Sequence, residues 1–524
     1  MGLCCCKENR QDGEDTYAPP VASTAASVSS VEPRGHMPKV VDSVIVDHLV
    51  LEMLTLIASF VDNDEESPVS LVKLHVIADK EDGWIQVVSS MVNVIPLENP
   101  FGPSAITILF DDCPLPSKES VIRATQLFGL SSERANTGEL NVRVERNICV
   151  VLGCIAEKLA GPNSVAVLTP LTLDYLLTFL ITRREACIVL FALIALEKFA
   201  STTENKLTIK NRLEQEPVNP LLVLESLAAD EDPMWRQVGF CAKWALDNLF
   251  IIEDRKLSYE LVDMSGINVI LNSHDVSEYL KISCNGLEAR CDSNSFESVR
   301  CTFQVDQGCW YYECVIVTPG VMQIGWATKN SHFLNHEGYG IGDDLYSLSY
   351  DGCRKLVWYQ ARPTSVNEMA AWRPGDVLGC LIDTNCREVI FSLNGVRLPP
   401  CKDIFDTIRT GFFAAASFMA FQQCRFNFGS EPFRHPPTDR QFEAFNDHGF
   451  LTDEQKKVVP RRIYLEQLRC SSVKEDCCTL CFDDTACCVL EPCGHRGFCS
   501  LCTSQLKECP MCRAAILNIQ REET

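Results

Sequence analysis

Trp310-Tyr-Tyr-Glu-Cys-Val-Ile-Val317 decides how the middle of this chain folds. Aromatic and β-branched side chains fill it, and these fit a pleated, half-buried strand. Outward from it, Gln323-Ile-Gly-Trp326 and Val389-Ile-Phe-Ser-Leu393 read as further strands, with Gly, Asn and Asp punctuating the text between. Asn394-Gly395 ends the last run. A type I′ turn needs positive φ at both central residues, and this pair tolerates it. The pattern holds from about Ile267 to Phe428 and predicts an all-β sandwich or barrel. Trp310, Trp326, Phe391 and Phe428 are read as core, because aromatic rings bury the most area per side chain. Asp343-Asp344 is read as a turn feature, not as an acid/base pair.

Upstream the text is helical. From Asp42 the apolar positions Val46, Val50, Met53, Leu54, Ile57 and Phe60 recur at helical spacing, with Asp42 or Ser43 as cap. Ala186 to Leu196 is too short an apolar run to span a membrane and reads as a buried helix. Ile155-Ala-Glu-Lys-Leu-Ala160 is echoed by Ala195-Leu-Glu-Lys-Phe-Ala200 and by Trp244-Ala-Leu-Asp-Asn-Leu249. Such spacing suits armadillo- or HEAT-like helical repeats. Downstream of the strands, Pro432, Pro436 and Pro437 break structure, and Leu451 to Leu468 reads as one or two helices. The organisation expected is a flexible arm over 1–40, a helical region over 41–262, a sandwich over 265–430, a helical connector over 431–472 and a small last domain over 473–524.

Composition narrows the function. The 524 residues carry 47 Lys+Arg against 70 Asp+Glu, a net charge of −23, so the basic field of a nucleic-acid binder is missing and no nucleic-acid partner is expected. Of 29 cysteines, eleven fall between Cys470 and Cys512. Such clustering in a long chain points to metal before disulfides, and reduced thiols suit the cytoplasm.

The cluster has an order. Cys478 and Cys481 form a C-x-x-C pair, Cys493-Gly-His495 follows, then Cys499 and Cys502, then Cys509-Pro-Met-Cys512. Seven thiols and one imidazole are the donors two tetrahedral zinc ions require, and a two-residue gap lets one turn present two sulfurs to one ion. Cys477 competes with Cys478 as first ligand, but its gap to Cys481 is three residues. All eight positions are taken by side chains, which leaves no site for a reactive water, so the zinc is read as structural. Residues 478–512 are too few to fold on apolar burial alone.

Two resemblances follow. Trp310-Tyr-Tyr-Glu313, Ile324-Gly-Trp-Ala327, Gly340-Ile-Gly-Asp-Asp344, Tyr350-Asp-Gly352, Gly375-Asp-Val377, Phe391-Ser-Leu-Asn-Gly395 and Phe426-Asn-Phe-Gly429 together resemble a SPRY domain. That family implies a β-sandwich binding short partner segments through loops at one edge. The zinc pattern resembles a RING domain, and Pro492-Cys-Gly-His495 is similar to the RINGs of inhibitor-of-apoptosis proteins. By that resemblance the ions are cross-braced: one takes Cys478, Cys481, Cys499 and Cys502, the other Cys493, His495, Cys509 and Cys512.

As a whole the chain is similar to the RING finger and SPRY domain-containing proteins. The resemblance implies a RING-type ubiquitin ligase with no catalytic residue of its own, working with a ubiquitin-conjugating enzyme, ubiquitin and a protein substrate. Leu480, Leu506 and Pro510 would form the docking groove for the conjugating enzyme, with Arg513 as the bridging cation. A homodimer through the RING is compatible with it, and the rival reading is a non-catalytic zinc-containing scaffold. Some relatives carry a leader and are described as secreted. Here Met1-Gly2 followed by Cys4, Cys5 and Cys6 resembles a dually acylated membrane anchor, although position six carries Cys6 where the pattern asks for Ser or Thr.

Overall fold

The computed structural model describes residues 41–57, 67–159, 161–334, 338–366, 369–408, 410–472, 478–480, 485–504, 506–510 and 515–521. They form two compact units, 1–458 and 459–524. The expected flexible arm and Phe60 lie outside the described residues.

The first unit begins all-helical. The helix Ser43–Ile57 buries Val46, Leu49, Val50, Met53, Leu54 and Ile57, and Asp42 Oδ1 accepts the Val44 N–H at its start. Three of its longer successors, Val142–Lys158, Ala186–Phe199 and Pro233–Asn248, are joined at their flanks: the middle one packs against both others. The three echoing segments close these same three helices. Side chains also tie helix ends together. Asn147 Nδ2 donates to the carbonyls of Val92 and Ile95 at 3.0 and 2.9 Å, and Lys158 Nζ donates to those of Phe110 and Asp111 at 2.8 Å. Each thereby satisfies carbonyls that a helix C-terminus leaves without partners.

The middle of the unit is the sandwich. One sheet runs in the order Leu271–Val276, Glu297–Val305, Phe412–Phe418, Met322–Thr328, Ser347–Asp351, Leu356–Tyr359, Arg362–Ser365. The other runs Val396–Arg397, Glu388–Leu393, Val377–Asp383, Cys309–Ile316, Gln422–Asn427, Glu288–Cys291, Leu280–Ile282. Trp310, Trp326, Phe391 and Phe428 are all buried between them. Asn394 and Gly395 take φ of 50° and 80° in the hairpin turn, as a type I′ turn demands. Asp343 and Asp344 act as turn acceptors: Asp343 Oδ2 takes the Gly340 N–H and Asp344 Oδ1 the Tyr346 N–H.

The expected helical connector needs correction. Residues 431–458 are a strap on the sandwich. Glu313, itself buried, accepts the N–H groups of Arg434 and His435 at 2.8 and 2.7 Å, and Phe433 and Phe442 pack on Tyr311. Glu443–Ala444 then pairs in parallel with Trp310–Tyr311, and Phe445 enters the core among Trp310, Tyr312, Trp326 and Phe428. Leu451 and Val458 are buried in that core without a helix; the only helical part of the expected connector beyond residue 450 is Arg461–Ser472, in the second unit.

Nor is the sandwich a separate bead. Its loops bring Phe296, Val321, Met419, Ala420 and Phe421 into the core of the helical region. Ion pairs cross the same contact. Lys281 bonds Glu197 on the Ala186–Phe199 helix and Asp292 at 2.8 Å, and lies over the Trp244 ring at 4.5 Å. Arg290 pairs with Asp292 and donates to Gln237 Oε1 at 2.9 Å. Burial, opposed by Lys281, pushes the Glu197 carboxyl up to about 7. Burial also acts on Asp292, but Arg290 and Lys281 outweigh it and hold that group below the usual carboxylate range.

A carboxyl with a higher pKa folded than unfolded takes up a proton on folding. Glu197's share of stability is therefore complete below its ordinary 4.5 and is lost as pH rises through about 7. Glu197→Gln is expected to flatten the decline of the urea midpoint between pH 5 and pH 7. An unchanged slope would put the titrating group elsewhere.

Candidate metal centre

The second unit holds the zinc pattern. Its hydrophobic core is Leu490, Phe498 and the buried thiols of Cys478, Cys499 and Cys509, with Ile516 and Ile519 packed alongside. This is far too little apolar area to offset the entropy of ordering the chain.

Local geometry delivers the donors in pairs. Cys488–Glu491 and His495–Phe498 form a hairpin. Gly494, at φ 70°, sends its N–H back to the Leu490 carbonyl at 2.7 Å, so Cys493 and His495 project from one tight turn. Gly497 takes φ 97°, and its carbonyl accepts both the N–H and the hydroxyl of Thr479 at 2.8 Å. These two hydrogen bonds pin the loop bearing Cys478 to the hairpin. Cys499 caps the short helix Ser500–Thr503, its Sγ accepting the Cys502 N–H at 3.4 Å, which sets Cys499 and Cys502 one turn apart.

Two clusters result. The ligand atoms of Cys478, Cys499 and Cys502 lie within 4.8 Å of one another, and so do those of Cys493, His495 and Cys509. The clusters alternate along the chain in the interleaved order implied by the RING resemblance. Cys509 Sγ and His495 Nδ1 are 3.6 Å apart. A tetrahedral ion with Zn–S and Zn–N bonds of about 2.3 and 2.0 Å sets its two ligand atoms about 3.5 Å apart, so the spacing fits. The donors are thiols and imidazole only, which suits zinc over a hard cation. Cys481 and Cys512, the fourth member of each expected set, lie outside the described residues. Cys487 and Cys488 belong to neither cluster.

Leu480 is 41% exposed beside the first cluster and Pro510 is exposed next to Cys509, while Leu506 is half-buried. Arg513 lies outside the described residues, as do Gly2, Cys4, Cys5 and Cys6. Sequence reading passed over two more leucines. Leu501 on the short helix and Leu517 before the last strand are 63% and 80% exposed. Leucine at the second position of a capped four-residue helix would have been a usable signal.

The SPRY domain family matches residues 309–431, and the C3HC4-type zinc finger (RING finger) family matches residues 474–519. The chain carries a SPRY domain and a RING finger. Among curated proteins, the E3 ubiquitin-protein ligase RKP of Arabidopsis thaliana is 37% identical over 147 residues, covering 27% of this chain and 11% of that protein. The ATP-dependent RNA helicases DDX1 of Xenopus laevis and Ddx1 of Drosophila melanogaster are 25% and 26% identical over 170 and 168 residues, 32% and 31% of this chain and 22% of each of theirs. The chain thus spans only about a tenth to a fifth of the length of these relatives. Among solved structures, the SPRY domain of human HERC1 is 15% identical, covers 30% of this chain and 96% of its own, and has a TM-score of 0.25. The TRIM65 PSpry domain is 10% identical over 30% of this chain and 90% of its own, with the same score. The RING domain makes this a zinc-binding protein. The SPRY match ends at residue 431, short of the strap whose Phe445 completes the SPRY core.

Proposed function

We propose that this RING and SPRY protein is a ubiquitin ligase. The observation that carries the reading is the pair of interleaved Cys/His clusters inside the matched RING finger, joined by the similarity to a plant ubiquitin ligase. Two zinc ions, one held by Cys478, Cys481, Cys499 and Cys502 and the other by Cys493, His495, Cys509 and Cys512, would act as rigid cross-links. With every zinc ligand supplied by a side chain, the domain's chemistry is positioning: it holds a thioester-linked ubiquitin on its conjugating enzyme in a reactive pose.

Leu480, Leu506 and Pro510 form the apolar docking surface in this reading, and the exposure of Leu480 and Pro510 supports it. Arg513 would bridge enzyme and ubiquitin through its planar fork of donors. Substrate would be recruited through the SPRY and helical regions, first by the SPRY loops at the end away from the helices, where Leu334, Leu345 and Tyr346 are exposed, and second by the helices themselves. The loops of the other end are buried against helices.

The test is self-ubiquitination by the purified chain across a panel of conjugating enzymes. Arg513→Ala is expected to slow transfer about tenfold or more, the loss of one charge-assisted contact of roughly 1.5–3 kcal/mol, with zinc content unchanged. Leu480→Ala is expected to weaken docking of the conjugating enzyme by about 1 kcal/mol, because only the exposed 41% of the side chain is left to bury. Parent-like transfer by both variants, or no transfer by the parent with any enzyme, would leave the zinc scaffold standing.

A further inference from the structure

The contact between helices and sandwich has the anatomy of a bound peptide. Met419-Ala420-Phe421, the turn between two sandwich strands, is buried among the helices. Ser104 Oγ, on the helix Gly102–Asp112, donates to the Ala420 carbonyl at 3.2 Å. The Phe421 ring meets Phe191 edge to face, with centroids 5.1 Å apart, and the Lys198 ammonium lies 5.7 Å from its centroid. One main-chain bond and one aromatic anchor under a cation make up the recognition.

The fit carries strain. Phe421 has φ +64°, a left-handed conformation that a bulky L residue avoids. It is held there from the sandwich side: its N–H donates to the Cys291 carbonyl at 2.7 Å, and Gln422 Oε1 accepts the Gly320 N–H at 2.8 Å. The lock beside it is incomplete as well. Lys281 bridges Glu197 and Asp292, yet Glu197 Oε1 is buried without a hydrogen-bond partner among the described residues. Strain kept in a functional contact and a polar group left unsatisfied both favour an arrangement that can open.

We propose that Met419-Ala420-Phe421 is a built-in ligand of the helical region, filling a groove of Ser104, Phe191 and Lys198 that accepts an aromatic-anchored segment of a partner protein when Lys281 lets go. A free segment reaches the same contacts without the left-handed phenylalanine. The inference concerns binding alone and stands apart from ubiquitin transfer.

The probe is a fluorescein-labelled peptide, Ala-Ser-Phe-Met-Ala-Phe-Gln-Gln, copied from residues 416–423. Anisotropy is read against the full chain, its Lys281→Met variant and its Phe421→Ala variant. Apparent affinity scales with the fraction of chains whose groove is open, so both variants are expected to bind at least about tenfold more tightly than the parent. The same peptide with alanine in place of its second phenylalanine should lose that gain, as should Lys281→Met combined with Phe191→Ala. If Phe421→Ala fails to fold, judged by circular dichroism, Lys281→Met decides alone. No binding by the opened chains, or binding indifferent to the peptide's aromatic ring, would overturn the proposal.

Discussion

His495→Ala is expected to empty one cluster, unfold the RING and abolish ubiquitin transfer, with no change in the first unit. The effect is large because metal, not apolar burial, holds the domain. A structural zinc site contributes on the order of 10 kcal/mol, more than the net stability of many whole domains. The core around Leu490 and Phe498 has nothing of that size to set against its loss. The chain has its own reporter for the two halves of this result. All seven tryptophans, from Trp84 to Trp372, precede residue 458, so their fluorescence reads the first unit and is silent on the RING. Zinc content by elemental analysis should fall while tryptophan emission and its thermal midpoint stay put. A variant that keeps its full zinc, or one whose tryptophan transition moves, would contradict the division.

Excising residues 265–430 is expected to cost the helical region its fold. From sequence the sandwich reads as a part of its own over 265–430. In the structure its removal uncovers Phe191 and the surface that Phe296, Val321 and Met419 cover, and it leaves Glu197 without Lys281. Each Phe- or Met-sized contact returned to water costs about 1.5–3 kcal/mol, against a net stability of about 5–15 kcal/mol for a typical domain. The expected result is insoluble protein, or a far-ultraviolet helical signal that melts without a cooperative step. The RING, in its own unit, should still retain zinc. A soluble remainder with a sharp helical transition would show the contact to be incidental.

What sequence could reveal divides along a physical line. Strand runs such as Trp310–Val317, the Asn394-Gly395 turn and the paired cysteines are local signals, carried by neighbours within a few residues. Each was readable because its cause lies beside it. The Lys281–Glu197 pair spans 84 residues, and the Ser104–Ala420 bond spans 316. Neither lysine nor glutamate advertises a partner at that range. The strap was hidden differently. Pro432, Pro436 and Pro437 mark it as loop, and they do so correctly; but two residues of parallel pairing and one phenylalanine are enough to make a loop part of a core. The cluster membership of Cys478, Cys493, His495, Cys499, Cys502 and Cys509 could be stated in advance only through family resemblance, because spacing alone gives donors and not their grouping.

The shared core also sets a clock. The Ala186–Phe199 helix leaves the ribosome with its groove open, and the loop that fills the groove is encoded about 220 residues later. At roughly 5–20 residues per second, that is an interval of about 10–45 s in which Phe191 faces water. Sandwich closure waits longer still, for Phe445. During synthesis the nascent chain therefore presents an aromatic-receptive surface to whatever chaperone is at hand, and any slowing of translation between the two segments lengthens that exposure.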